Sequence, residues 1–243
     1  MRIAVVSDVH GNLPALEAVI ADLRDAAPDL VVHGGDLVAG GARPAEVIDL
    51  VRTLRWPGVY GNGEEMLWRP ERVSQQLADP ALQRIRDLVL NEMRPETIRA
   101  IGEDRLAWLR ALPLQWSGED VTIVHAGSDD AWNSPMVNAT DEELERAYGR
   151  LATRTVVYGH IHQPYVRRLA GFTVANSGSV SLSYDGDPRA SYALVDDHRV
   201  TIRRVEYDVN AEITQLFAVR YPRAKWFADI LRQAAPLPMP ADE

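Results

Sequence analysis

Cysteine is absent from the 243 residues. Its absence excludes disulfides, thiolate metal sites and a cysteine nucleophile. Long apolar runs are also missing: nothing approaches the ~20 residues that span a bilayer. The short apolar start at residues 3–6 is followed at once by Asp8 and His10, unlike a secretory leader. Basic charge is in short supply, with 26 Lys+Arg against 35 Asp+Glu and a formal net charge of −9. Non-specific nucleic-acid binding needs basic surface to displace counterions, so no large nucleic-acid surface is expected. A small phosphorylated substrate held through metal ions remains compatible, because a bound cation inverts the local charge. At 46% hydrophobic and 25% charged, the chain has the composition of a globular protein rather than a disordered one. A single cytoplasmic domain over residues 1–243 is expected, with no membrane contact.

Residues 2–7 form a short continuous apolar run, the mark of a strand buried on both faces. Asn12 can cap the helix that follows, and Pro14 falls in its first turn. Leu13, Leu16, Val19, Ile20 and Leu23 mark one helical face. A second strand is expected at 30–33, a helix at 44–54 and a short strand at 58–60. This alternation points to an α/β fold with parallel strands. Residues 64–112 change character: their helical composition, broken by Pro70, Pro80, Pro95 and Gly102, predicts a helical insertion beside the sheet. Strands return at 121–125 and 155–158, with a helix at 141–151 capped by Thr140 between them. The last third reads antiparallel, with strands 165–169 and 172–175 around Ala170-Gly171, and 191–195 and 200–205 around a second turn. C-terminal helices are expected at about 209–234, the first capped by Asn210.

Five polar clusters fall directly after expected strands: Asp8-Val9-His10, Gly35-Asp36, Gly61-Asn62, His125-Ala126-Gly127 and Gly159-His160-Ile161-His162. In open α/β sheets ligands bind beyond the carboxyl ends of the strands. The clusters therefore deliver two carboxylates, one carboxamide and four imidazoles towards one region. That set suits a pair of divalent metal ions; without thiolates it leans to Mn2+, with Fe, Co, Ni or Zn as alternatives. Two ions need a bridging oxygen ligand, for which Asp36 is the choice. Asp8 and His10 can reach one ion together, and His160 and His162 can serve one ion each. Taken singly, each residue has an ordinary structural reading: Asp8 as a turn residue, His125 as a core histidine, His160 and His162 as turn residues before Pro164. Jointly those readings must hold at five separate strand ends, which favours the metal site.

The string Ser7-Asp8-Val9-His10-Gly11-Asn12, with Gly34-Gly35-Asp36, Gly61-Asn62, His125-Ala126-Gly127 and Gly159-His160-Ile161-His162, resembles the calcineurin-like metallophosphoesterase superfamily over residues 2–206. Asn176-Ser177-Gly178-Ser179 resembles the Asn-Pro-Gly-Ser turn of its small bacterial members, with Ser177 in place of Pro. The resemblance implies a four-layer α/β/β/α sandwich of two mixed sheets. It implies one ion held by Asp8, His10, Asp36 and His162, and a second held by Asp36, Asn62, His125 and His160. It implies attack on phosphorus by a metal-bridging hydroxide. Asn62 and His125 are the expected catalytic groups, and Asn62 and Asn12 the expected substrate contacts.

The third block departs from the family pattern. Where Gly-Asn-His-Asp or Gly-Asn-His-Glu is usual, this chain reads Gly61-Asn62-Gly63-Glu64. The imidazole that would contact phosphate and protonate the leaving group is missing. Losing a positioned general acid costs ~10²–10⁴ in rate. An aryl oxide or a strained ring-opening alkoxide depends on that proton least. Small phosphodiesters such as 2′,3′-cyclic nucleotides are therefore the expected substrates. The alternatives are a phosphomonoesterase acting on phosphoprotein or nucleotide, and a metal-binding scaffold without activity. Trp132 is the best candidate to stack on a nucleobase, whereas His33 is expected to be a core histidine.

Overall fold

The protein is described by a computed structural model covering residues 1–118 and 120–240. It contains two sheets. In the first, β2 (Leu30–His33), β1 (Arg2–Val6), β8 (Ala190–Asp196) and β9 (Arg199–Val205) lie in that order. In the second, the order is β3 (Gln115–Gly118), β4 (Val121–Val124), β5 (Thr155–Tyr158), β7 (Thr173–Asn176) and β6 (Tyr165–Arg168). Both are mixed. β1 pairs parallel with β2 and antiparallel with β8, while β5 pairs parallel with both β4 and β7.

The period-2 alternation of the strands builds three apolar layers. Ile3 and Val5 of β1 turn inward with Val121, Ile123 and Val157 to form the core between the sheets. Ala4 and Val6 face the other way. They pack under Leu16 and Val19 of α1 (Leu13–Ala26), Val47 and Ile48 of α2 (Pro44–Leu54), and the C-terminal helices. On the far side of the second sheet, Val124, Val156 and Tyr158 meet Leu144 and Tyr148 of α7 (Asp141–Tyr148). Helix, sheet, sheet and helix are therefore stacked as four layers. Each fully buried Leu or Ile in them contributes about 1.5–3 kcal/mol. Asn12 caps α1 by accepting from the Ala15 N–H, and Thr140 caps α7 through the Glu143 N–H.

Residues 62–110 fold into a run of helices: α3 (Asn62–Trp68), α4 (Pro70–Gln76), α5 (Gln83–Leu88), a π-helical turn (Val89–Met93) and α6 (Arg94–Arg110). The helical stretch thus begins two residues earlier than the sequence predicts, at Asn62 itself. α8 (Val209–Ala218) and α9 (Ala224–Gln233) complete the chain. Among the described residues no helix is long and apolar enough to cross a membrane.

Two local expectations are corrected and one unanticipated strand, β3, is added. The strand at 58–60 reduces to a single bridge between His33 and Gly58. Pro57 offers no N–H, and the Tyr60 N–H turns to the Pro113 carbonyl instead of the neighbouring strand. β3 had no clear signal because Gln115 and Ser117 are exposed on an edge strand, so it lacks an apolar run. α8 is capped by Asp208, whose carboxylate accepts from the Ala211 N–H, and Asn210 lies inside the helix.

Candidate active site

The loops after β1, β2, β4 and β5 are laced into one assembly. The Asp8, His10 and Gly11 N–H groups donate to the carbonyls of Gly35, Asp36 and Leu37. The Gly159 N–H donates to the His125 carbonyl, and the His160 N–H donates to the Asp8 carboxylate. Ser179, in the Asn176-Ser177-Gly178-Ser179 turn, donates its hydroxyl to the Asp8 carbonyl at 2.9 Å.

Asp8, His10, Asp36, His160 and His162 all have φ between 50° and 67°. That left-handed backbone costs about 1–3 kcal/mol per residue and persists only where the surroundings impose it. It places residues two apart, Asp8 with His10 and His160 with His162, on a common centre. No sequence pattern announces it.

Two groups of donor atoms result. In the first, Asp8 Oδ1 lies 3.2 Å from His162 Nε2, and His10 Nε2 lies 3.2 Å from His162 Nε2 and 3.7 Å from Asp36 Oδ2. In the second, His125 Nε2 lies 3.5 Å from Asp36 Oδ1 and 2.9 Å from Asn62 Oδ1. Asn62 Oδ1 is in turn 2.8 Å from His160 Nδ1. Asp36 turns one carboxylate oxygen to each group. The donor atoms of Asp8, His10 and His162, and those of Asp8, Asp36 and His125, are close enough within each trio to share one cation.

The far nitrogens of three rings explain their aim. His10 Nδ1 faces the Ala39 carbonyl at 2.5 Å, His162 Nδ1 the Leu182 carbonyl at 2.5 Å, and His125 Nδ1 the Gly34 carbonyl at 2.9 Å. A carbonyl only accepts, so Nδ1 carries the proton and Nε2 is directed at the centre. His160 presents its Nδ1 instead. Tyr184 stacks on His162 with ring centroids 4.6 Å apart, fixing that imidazole from the side.

Burial lowers the His10 pKa, and lowers that of His160 to about 4 with help from neighbouring His125, so both rings are neutral. Burial alone would raise the Asp8 carboxyl. The imidazoles of His162, His125 and His10 overcome it and hold Asp8 well below the usual carboxylate range. His125 is shifted up: burial opposes the charged form, and the carboxylates of Asp36 and Asp8 outweigh it. The neutral imidazoles of His10 and His160, ionised Asp8 and a carboxamide oxygen, converging within a few ångströms, form a donor set that fits divalent cations.

Glu64 is the functional residue whose task the sequence does not reveal. Its buried carboxylate accepts four backbone N–H bonds: from Asp36 at 2.8 Å, Leu37 at 2.7 Å, Val38 at 3.2 Å and Gly61 at 2.7 Å. It clasps the Asp36 loop to the start of α3. Burial and the nearby Asp36 charge push its pKa up to about 7. Its acidic place at the start of a helix signals a cap, but the reach to Asp36 needs the fold.

Two glycines let α3 approach. A Cβ on Gly61 would lie 2.2 Å from Asp36 Oδ1, and one on Gly63 would lie 2.9 Å from the same atom. The Gly63 N–H donates to Asp36 Oδ1 at 2.7 Å.

Asn12 does not meet the expectation of a substrate contact. It is fully buried, its Oδ1 caps α1, and its Nδ2 donates to Ser181 Oγ and Tyr207 Oη. The position next to Gly11 in the first loop signals proximity to the site, but helix capping consumes the side chain. His33 is a buried core histidine beside Trp108, with its pKa lowered to about 3 by burial. Trp132 reaches the cavity over the donor groups and gives its indole N–H to Glu65 at 2.6 Å.

The calcineurin-like phosphoesterase superfamily domain matches residues 1–199. An uncharacterized protein of Methanocaldococcus jannaschii is 28% identical over 252 aligned positions, covering 94% of this chain and 96% of its own. The phosphodiesterase YfcE of Escherichia coli is 23% identical, covering 83% of this chain and 91% of its own. A crystal structure of a metallophosphoesterase from Sphaerobacter thermophilus superposes with a TM-score of 0.79 at 27% identity, over 97% of this chain and 99% of that one.

Proposed function

We propose that this chain, which belongs to the calcineurin-like phosphoesterase superfamily, hydrolyses small phosphodiesters at a pair of divalent metal ions. Asp8, His10, Asp36 and His162 would hold one ion, and Asp36, Asn62, His125 and His160 the other, with Mn2+ the first choice. Bound there, the ions would supply Lewis acidity and a water of lowered pKa. Asp36 offers one oxygen to each side, and His10 and His160, kept neutral by burial, keep lone pairs available. Asn62 lines the cavity with Oδ1 held between His125 and His160, which leaves its N–H2 group to donate to a phosphoryl oxygen. His125, fully enclosed, orients both Asn62 and Asp36.

The observation that carries the diester preference is Gly63. It lines the cavity beside Asn62 and brings no side chain. Among the described residues lining the cavity there is no lysine or arginine. A monoester dianion therefore lacks both the imidazole that would protonate its leaving group and a fixed lysine or arginine for its second charge. A diester carries one charge fewer, and an aryl or ring-strained ester leaves without the missing acid. 2′,3′-Cyclic nucleotides meet both conditions.

The test is turnover of bis(p-nitrophenyl) phosphate against p-nitrophenyl phosphate by one Mn2+-loaded preparation, followed by 2′,3′-cyclic AMP. Faster diester turnover is expected. Faster monoester turnover contradicts the reading.

A further inference from the structure

The donor groups make up only part of the lining of their cavity, whose volume is about 420 Å³. Much of the remaining lining is an apolar wall of Met66, Val73, Leu77, Val89, Met93 and Phe227. Met66 comes from α3, Val73 from α4 and Leu77 from just beyond its end; Val89 and Met93 come from the π-helical turn, and Phe227 from α9. The polar groups away from the donor set are few. Gln76 and Tyr184, stacked on His162, are two, and the Trp132 indole N–H is already committed to Glu65. Arginines of the helical segment are engaged elsewhere, Arg86 with the Leu77 carbonyl among them. Arg94 donates to the Met66 and Leu67 carbonyls, Arg69 pairs with Glu65, and Arg72 pairs with Asp130.

We infer that this chamber selects the substrate: one ester group of the diester is an uncharged, largely apolar alkyl or aryl group that seats against the α4 and π-turn wall. The inference rests on the phosphodiester reading above and, within it, favours open diesters with a separate apolar ester group over 2′,3′-cyclic nucleotides, whose two ester oxygens belong to one ribose. Three observations support it. The apolar wall is continuous with the donor groups, since His10, Asp36, Asn62, His160 and His162 line the same cavity. The wall contains no charge to receive a second phosphate or a carboxylate, and desolvating such a group there has no compensation. The π-helical turn replaces regular helix where Val89 and Met93 reach the cavity, and such turns concentrate at functional sites. With the phosphorus at the donor groups, this wall is the apolar surface on which a substituent of the far ester oxygen can be buried.

The experiment uses methyl alkyl phosphates as competitive inhibitors of bis(p-nitrophenyl) phosphate hydrolysis by the full-length Mn2+-loaded chain. The alkyl group runs from methyl to butyl to hexyl, with 5-carboxypentyl as the charged counterpart. Calorimetric binding of the same phosphates gives a second readout independent of turnover. Full burial allows ~4-fold per methylene. The five added methylenes of the hexyl ester are expected to tighten inhibition at least ~10-fold, within that allowance. The carboxypentyl ester is expected to lose that gain. Leu77→Gln is expected to shrink the hexyl-to-methyl ratio about 5-fold, and because the result is a ratio it is insensitive to the fraction of folded protein. Inhibition that does not change with chain length, while the chromogenic diester is still hydrolysed, overturns this inference and leaves the phosphodiester reading intact. Failure to hydrolyse the chromogenic diester beside an active monoesterase overturns the reading itself, and this inference with it.

Discussion

The strand-end loops and the helical wall line one cavity and are built on opposite principles. The loops are polar, buried, laced by backbone hydrogen bonds and held in left-handed conformations at Asp8, His10, Asp36, His160 and His162. The wall is apolar and sits on helices that carry none of the donor residues beyond Asn62. The loops determine what chemistry is possible. The wall determines what the chemistry is done to. Substitutions on the two sides should therefore fail differently.

The largest effect is expected on the loop side. Asp36→Asn removes the carboxylate that faces both donor groups. Diester turnover should fall at least ~10³-fold, since ligands of this kind stabilise the transition state by several kcal/mol. Metal content by elemental analysis should fall with it. An active, fully loaded Asp36→Asn protein would break the comparison at its root.

Glu64→Ala comes next. It leaves the Asp36, Leu37, Val38 and Gly61 N–H groups without their acceptor. Orphaning buried donors costs ~1–3 kcal/mol each before relaxation, and loss of an outer support typically costs ~10–100-fold in activity. Chemical denaturation and turnover should both register the change. Glu64→Gln should recover part of the stability, because its one carbonyl oxygen still accepts.

Gly63 sharpens the comparison, because it lies where the two sides meet. Gly63→Ala adds a Cβ 2.9 Å from Asp36 Oδ1 and should lower diester turnover by itself. Gly63→His adds the same Cβ plus the missing imidazole. Monoester turnover should be ~10-fold or more higher in Gly63→His than in Gly63→Ala. Equal monoester rates would show that the absent imidazole does not set the preference.

The smallest effect on turnover is expected outside both regions. Burial raises the Glu212 pKa from 4.5 to about 7, and one of its oxygens has no partner. The folded pKa lies above the unfolded value, so the fold favours the protonated acid. The stability it contributes is complete below about pH 4.5 and is lost as pH rises through about 7. Glu212→Gln should therefore stabilise the protein at pH 8 by up to about 3 kcal/mol and do little at pH 4.5, with turnover unchanged. Thermal melts at the two pH values measure it.

The two sides also differed in how much of them the sequence revealed. The seven residues that converge at the candidate site were legible because six follow a strand directly in short strings and Asn62 follows Gly61 at the start of α3. Their left-handed backbone was not, because it is imposed by contacts between loops far apart in the chain. Asn12 misled for the same reason: its neighbourhood was right, but its amide is used by α1, Ser181 and Tyr207. The clasp of Glu64 joins residues 28 apart and has no local signature. On the wall, helical composition was legible and nothing of the chamber was. Met66, Val73 and Met93 are ordinary core residues until three helices and a π-helical turn are packed around them. The sheet order, with β8 paired to β1 across nearly the whole chain, was likewise hidden.

The central claim is a two-ion centre divided by Asp36. Anomalous diffraction from crystals grown with Mn2+ tests it most directly. The expected result is two peaks, one on each side of the Asp36 carboxylate, the first among Asp8, His10 and His162 and the second among Asn62, His125 and His160. A single peak at full occupancy, or Mn2+ bound anywhere else with this site clear, would contradict it.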